Sequence, residues 1–175
     1  MNQYTSLAKE AAETYIKEKK IILPPKNLPK EFLEKKAGTF VTIEKEGKLR
    51  GCIGTYLPTK DNIAKEIIQN AISAATEDYR FGEIKKEELP HLSYMVYILN
   101  PPELVEDIKE LNPKKYGIII RTAEKPMRSA LLLPDLEGVN TIEEQMDIVC
   151  QKGGINPAED KLIIFRFTVE KHEEK

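Results

Sequence analysis

Leu49-Arg50-Gly51-Cys52-Ile53-Gly54 places a guanidinium, a thiol and two glycines within six residues of an otherwise strand-like run. The arginine stands out, because the chain has 22 lysines and only five arginines, so lysine serves the surface. A side-chain period of two puts Arg50, Cys52 and Gly54 on one face of a strand and Leu49, Gly51 and Ile53 on the other. Arg50 and Cys52 are then about 7 Å apart at their Cα atoms, from a rise of roughly 3.3 Å per residue. A guanidinium at that range favours the thiolate, which makes Cys52 a candidate nucleophile, or makes the pair an anion site. Glycines inside a strand mark a bulge or the close approach of a backbone or ligand, so Gly51 and Gly54 join the candidate set. The competing reading is a small packed cysteine beside a structural arginine–carboxylate pair.

A second cluster is Asp78-Tyr79-Arg80-Phe81-Gly82. A helix running from an N-cap at Thr59 to about Tyr79 carries Ile63, Ile67, Ala71 and Ala74 in one band, and Asp78 falls inside it. A carboxylate in phase with an apolar stripe needs a partner. Arg50, Arg80 or the amides of the following turn could supply it.

These residues need a hairpin from Phe40 to Tyr56, turning at residues 44–48, with the alanine-bearing helix lying close against it. Before it, Tyr4, Leu7, Ala8, Ala11, Ala12, Tyr15 and Ile16 predict a helix over residues 2–19. Pro24, Pro25 and Pro29 then impose a crossing segment, with a short helix over 30–36 ended by Gly38. After it, Leu92–Leu99 reads as a central strand and residues 116–121 and 127–133 as a second hairpin. Thr141-Ile142-Glu143-Glu144 is a capping box opening a helix that Gly153 should stop, with Cys150 in its apolar stripe and therefore inert. Residues 162–169 form a last strand, with Ile163, Phe165, Phe167 and Val169 on one face, and residues 171–175 a solvated tail. The pattern predicts an α+β fold built on a mainly antiparallel sheet with flanking helices, as one domain over residues 1–175.

Composition excludes several classes. With 27 basic and 29 acidic residues the net charge is −2, which argues against duplex nucleic acid as the partner. Cys52 and Cys150 form no C-x-x-C, and His91 and His172 lie in unrelated segments, so no metal motif is present. No apolar run reaches the ~20 residues of a membrane span, and residues 1–18 carry no leader pattern. The expectation is a soluble cytoplasmic protein with reduced thiols and no membrane partner.

With Arg50–Gly54, Asp78-Tyr79-Arg80-Phe81, Pro101-Pro102-Glu103, Leu131-Leu132-Leu133-Pro134 and Lys152-Gly153-Gly154-Ile155 laid out, the chain resembles the AMMECR domain family. That family is also known as protein A of the AmmeMemoRadiSam system. Residues 49–54 match its signature as they stand. Phe40-Val41-Thr42, residues 71–81 and Glu143-Glu144-Gln145 extend the match, while Gly153 stands where the family has alanine. The resemblance implies two unequal lobes with residues 49–54 at or near a cleft between them. It further implies association, through genome context, with a Memo-type protein and a radical S-adenosylmethionine (SAM) enzyme. It assigns no reaction and no cofactor.

Two functions follow. In the first, a non-catalytic binding module uses Arg50, Gly51, Gly54, Asp78 and Arg80 to orient a small molecule, macromolecule or partner protein while Cys52 packs. In the second, an enzyme or enzyme subunit uses Cys52 as its nucleophile with Arg50 as electrostatic partner.

Overall fold

The computed structural model describes residues 2–174. It divides into two compact units, one comprising residues up to Leu99 with those from Glu170 onward, the other Asn100–Val169.

In the first unit, α1 (Gln3–Glu18) starts at Asn2, whose side chain accepts the Tyr4 amide, and ends at Lys19 in the left-handed region with φ 55°. Leu7, Ala8, Ala11, Ala12 and Ile16 form its buried stripe. The proline-rich crossing leads to α2 (Lys30–Glu34). Gly38 does not stop this helix, which ends at Lys35. A Cβ on Gly38 would lie 2.4 Å from the Thr55 carbonyl, so close backbone packing is what requires the glycine there. Strands β1 (Thr39–Lys45) and β2 (Lys48–Gly54) join through Glu46 and Gly47, both at positive φ (52° and 75°), as a two-residue hairpin turn requires.

Helix α3 (Ile63–Thr76) is shorter than its periodicity suggests. Asn62 caps it by accepting the Lys65 amide, and it ends two residues before Asp78. Thr59, the expected cap, instead serves Glu66 on the helix itself. After α3, β3 (Leu92–Leu99) pairs antiparallel with β1, and with the eighth strand of the chain, β8 (Val169–Glu173), the sheet order is β2-β1-β3-β8. Residues 171–173, expected to be solvated, belong to β8. Helices α1 and α3 cover one face of the sheet, against Val41, Ile43, Tyr94, Val96 and Ile98. Each fully buried isoleucine or valine of this layer contributes about 1.5–3 kcal/mol.

The second unit holds β4 (Glu103–Leu104), β5 (Gly117–Thr122), β6 (Ser129–Leu132), α4 (Ile142–Gly153) and β7 (Leu162–Phe167), with sheet order β4-β7-β5-β6. The antiparallel β5–β6 hairpin and the Thr141/Glu144 capping box stand as the sequence indicates. Gly153 is the last helical residue, and the stop falls one residue later, at Gly154 with φ 61°. Cys150 is 5% exposed beside fully buried Val149, and burial pushes its thiol pKa up. The single strand expected over 162–169 is two, divided at Thr168 between the two sheets. The fold is therefore α+β, with two four-stranded sheets in place of one.

Candidate functional site

The β1–β2 ladder sets the local geometry. Ile43 pairs with Gly51 but Glu44 pairs with Leu49, so Arg50 is an extra residue, a bulge. Strict alternation stops there, and Arg50 does not share the regular register of Cys52 and Gly54. Gly51 and Ile53 face α3, where a Cβ on Gly51 would lie 2.2 Å from the Ala74 carbonyl oxygen. Gly54 is pressed on Thr39 and Phe40, its virtual Cβ 2.3 Å from the Thr39 oxygen. The backbone that both glycines admit is the protein's own.

Cys52 lies on the opposite face of the sheet from α3, cross-strand from Thr42, which in turn pairs with Met95. The Thr42 hydroxyl donates to the Cys52 sulfur at 3.2 Å. Tyr97, 8% exposed, is on the same face, and its hydroxyl reaches the Met95 sulfur at 3.9 Å. Burial raises the Tyr97 phenol pKa, and negative charge at Cys52 adds to the effect.

Asp78 is 4% exposed and sits against the outer side of β2. Its Oδ2 accepts the Cys52 amide at 2.9 Å and Arg80 Nη2 at 2.7 Å, while Oδ1 accepts Arg80 Nε at 2.9 Å and the Arg80 amide at 3.2 Å. Both the arginine partner and the turn amides expected from the sequence are present, and the arginine is Arg80. The Arg80 fork is the largest cause holding the Asp78 carboxyl below its ordinary range. In return Asp78 raises the Arg80 pKa, with a smaller contribution from negative charge at Cys52. Negative charge at Cys52 thus bears on Arg80. The Arg80 side chain is 46% exposed, its guanidinium lies 5.2 Å from the Phe81 ring centroid, and neighbouring Tyr79 is 93% exposed.

Arg50 is committed to a different carboxylate. Its Nε and Nη2 each bond Glu88 at 3.0 Å, Nη1 bonds the Gly82 carbonyl at 3.1 Å, and Nη2 also reaches the Glu83 carbonyl at 3.3 Å. Glu88 also accepts Lys45 Nζ and the Lys85 amide. Chiefly through Arg50, its pKa falls to about 2. Residues 78–88 are thus fixed along β2 at two points, Asp78 on Cys52 and Arg50 on the far end.

Sequence reasoning missed Glu88, Thr42, Tyr97 and the fully buried Glu66. The Glu66 carboxylate accepts the Thr55 and Thr59 hydroxyls and the Thr59 and Lys60 amides at 2.7–2.8 Å, which fixes the loop after β2. Asn70, one turn on, donates to the Thr39 carbonyl and hydroxyl. A signal existed: Glu66, Asn70 and Ser73 recur at i, i+4 and i+7 on a helix whose remaining polar positions, exposed Lys65 and half-buried Gln69 and Thr76, are a separate set. The two histidines are placed elsewhere, His91 3.7 Å from Glu46 and His172 stacked on Tyr4 with ring centroids 3.9 Å apart. Among the described residues no three His, Cys, Asp or Glu side chains are grouped to hold a metal ion, and no helix is long and apolar enough to cross a membrane.

A family model described as AMMECR1 matches residues 5–172. A protein of Thermotoga maritima is 50% identical over 170 residues, covering 97% of this chain and 96% of its own length. A Clostridium acetobutylicum protein is 44% identical over 172 residues, and this chain spans 36% of its length. The crystal structure of a Pyrococcus horikoshii protein titled uncharacterized superposes with a TM-score of 0.88 at 34% identity, covering 98% of this chain and 90% of that one.

Proposed function

Because the chain belongs to the AMMECR1 family, whose resemblance carries a fold but no reaction, we propose that it is a non-catalytic binding module whose Asp78–Arg80 corner receives an anionic group of a ligand or partner protein. The supporting observation is the way Arg80 is held. Asp78 grips it through Nε and Nη2, leaving Nη1 without an acceptor among the described residues on a side chain 46% exposed. An arginine fixed before its ligand arrives loses less entropy on binding than a free one. Exposed Tyr79 and Phe81 supply aromatic surface on either side in sequence. Arg50 acts at one remove, by holding the loop at Gly82 and Glu83, and Gly51 and Gly54 allow the close packing that positions Cys52. The Memo-type protein and the radical SAM enzyme implied by the resemblance are the partners of this proposal. Arg80→Ala should weaken co-purification with the Memo-type protein about tenfold or more; unchanged recovery would remove Arg80 from the reading.

A second reading keeps Cys52 as the nucleophile of an enzyme or enzyme subunit. Its support is the Thr42 hydroxyl on the sulfur and the coupling of the thiol to Arg80. Iodoacetamide labelling of the native protein near neutral pH separates the two. A binding module should label Cys52 no faster than N-acetylcysteine, whereas an activated thiol reacts at least about tenfold faster. Cys150 serves as the internal control: it should label far more slowly in the native protein than in denaturant.

A further inference from the structure

The second unit contains a pocket of about 420 Å³ that is separate from the residues around Cys52. Tyr116 stands immediately before β5 and lines it with Pro101, Pro102, Thr168 and the 2% exposed Phe167. Two cations lie against the Tyr116 ring, Lys115 Nζ at 4.9 Å and Arg166 Cζ at 4.7 Å from its centroid.

Their charges are balanced unequally. Arg166 Nε bonds Glu103 at 3.2 Å, and its Nη1 bonds the Glu110 carbonyl and lies 3.3 Å from the Glu110 carboxylate. Lys115 has no carboxylate at ion-pair distance among the described residues; its neighbour Lys114 takes Asp135. Of the lining polar groups, Asn100 donates to the Thr168 hydroxyl oxygen at 2.8 Å and Glu103 is tied to Arg166. Among the described lining groups the uncommitted donors are the Lys115 ammonium, Arg166 Nη2 and the Tyr116 and Thr168 hydroxyl protons, beside two side-chain acceptors, the Asn100 amide oxygen and one Glu103 carboxylate oxygen.

The open donors include two cationic groups, Lys115 Nζ and Arg166 Nη2, which turn the pocket toward a ligand that accepts. Glu103 and Glu110 already balance Arg166, so the unmatched positive charge at the ring is that of Lys115. The volume falls in the range of small-molecule sites, which begins at roughly 300 Å³, so there is room for a body as well as a charged head. We propose that this pocket binds a small organic oxyanion, a carboxylate or a phosphate ester, held by Lys115 and Arg166 at the Tyr116 ring.

The test is amide NMR of the full chain, titrated separately with inorganic phosphate and with citrate at constant ionic strength. Saturable shifts centred on Lys115, Tyr116 and Thr168 are expected with at least one probe, and the tighter probe identifies the head group. Lys115 is exposed, so Lys115→Glu should fold as the parent does and bind that probe about tenfold more weakly or worse. Absence of saturation with both probes, or equal binding by Lys115→Glu, would overturn the proposal.

Discussion

Two arginine–carboxylate clamps hold the same segment to the same strand, yet their exposure is distributed in opposite ways. In Arg50–Glu88 the side chains are 15% and 16% exposed, and Nε and both Nη nitrogens are bonded. In Arg80–Asp78 the acid is 4% exposed and the base 46%. Sequence chemistry cannot distinguish them, since both are bidentate forks on carboxylates. Their surroundings separate the roles. The first clamp closes on itself and is a fastening, while in the second the buried acid is the structural member and its arginine is available to something else.

The sharpest way to break this comparison is to remove the buried acid. Asp78→Ala orphans the Cys52 amide and the Arg80 fork, and should cost about 3 kcal/mol in urea unfolding. A loss below about 1 kcal/mol would mean that the acid is no more structural than an exposed partner. Arg50→Lys comes next: it keeps the charge but gives up the fork, and should cost about 1–2 kcal/mol while leaving Cys52 labelling unchanged. A labelling change as large as that in an Arg80 variant would erase the division of roles.

The fastening should also respond to pH. The Glu88 pKa is lowered in the folded state from the ordinary 4.5 to about 2. Its contribution is therefore fully present above pH 4.5 and is lost as pH falls toward 2, because the unfolded chain takes up the proton first. Glu88→Gln should flatten that part of the stability–pH curve, and an unchanged slope would refute the assignment. The smallest effect on stability belongs to Arg80→Gln, at about 1 kcal/mol or less for so exposed a base. Its signature lies elsewhere: without that cation, Cys52 labelling should shift to higher pH. A superimposable pH profile would show that the guanidinium does not act on the thiol.

What the sequence made legible was local. The β1–β2 hairpin, the α4 capping box and the buried phase of Cys150 each follow from spacing over neighbouring residues, and the inward Asp78 follows from continuing the α3 phase two residues past its end. The Arg50 assignment was not of that kind. Its carboxylate lies 38 residues downstream in a short 3₁₀ segment, and the bulge that turns Arg50 out of register is a property of the paired strand. The division at Thr168 was equally hidden, because Val169 continues the alternation of Ile163, Phe165 and Phe167 while the chain leaves one sheet for the other. Periodicity reports which faces are apolar and carries no record of which sheet receives them.

The bond from the Cys52 amide to Asp78 also bears on how the protein survives in a crowded solution. β2 is the terminal strand of its sheet, and an outward amide there is a template on which a strand from another molecule could grow. The Asp78 carboxylate occupies that amide, and the bulge at Arg50 interrupts the ladder two residues earlier. A foreign strand docking along residues 50–52 would have to displace a buried, ionised acid and match a broken repeat, so the corner that presents Arg80 also keeps the sheet from extending into fibres.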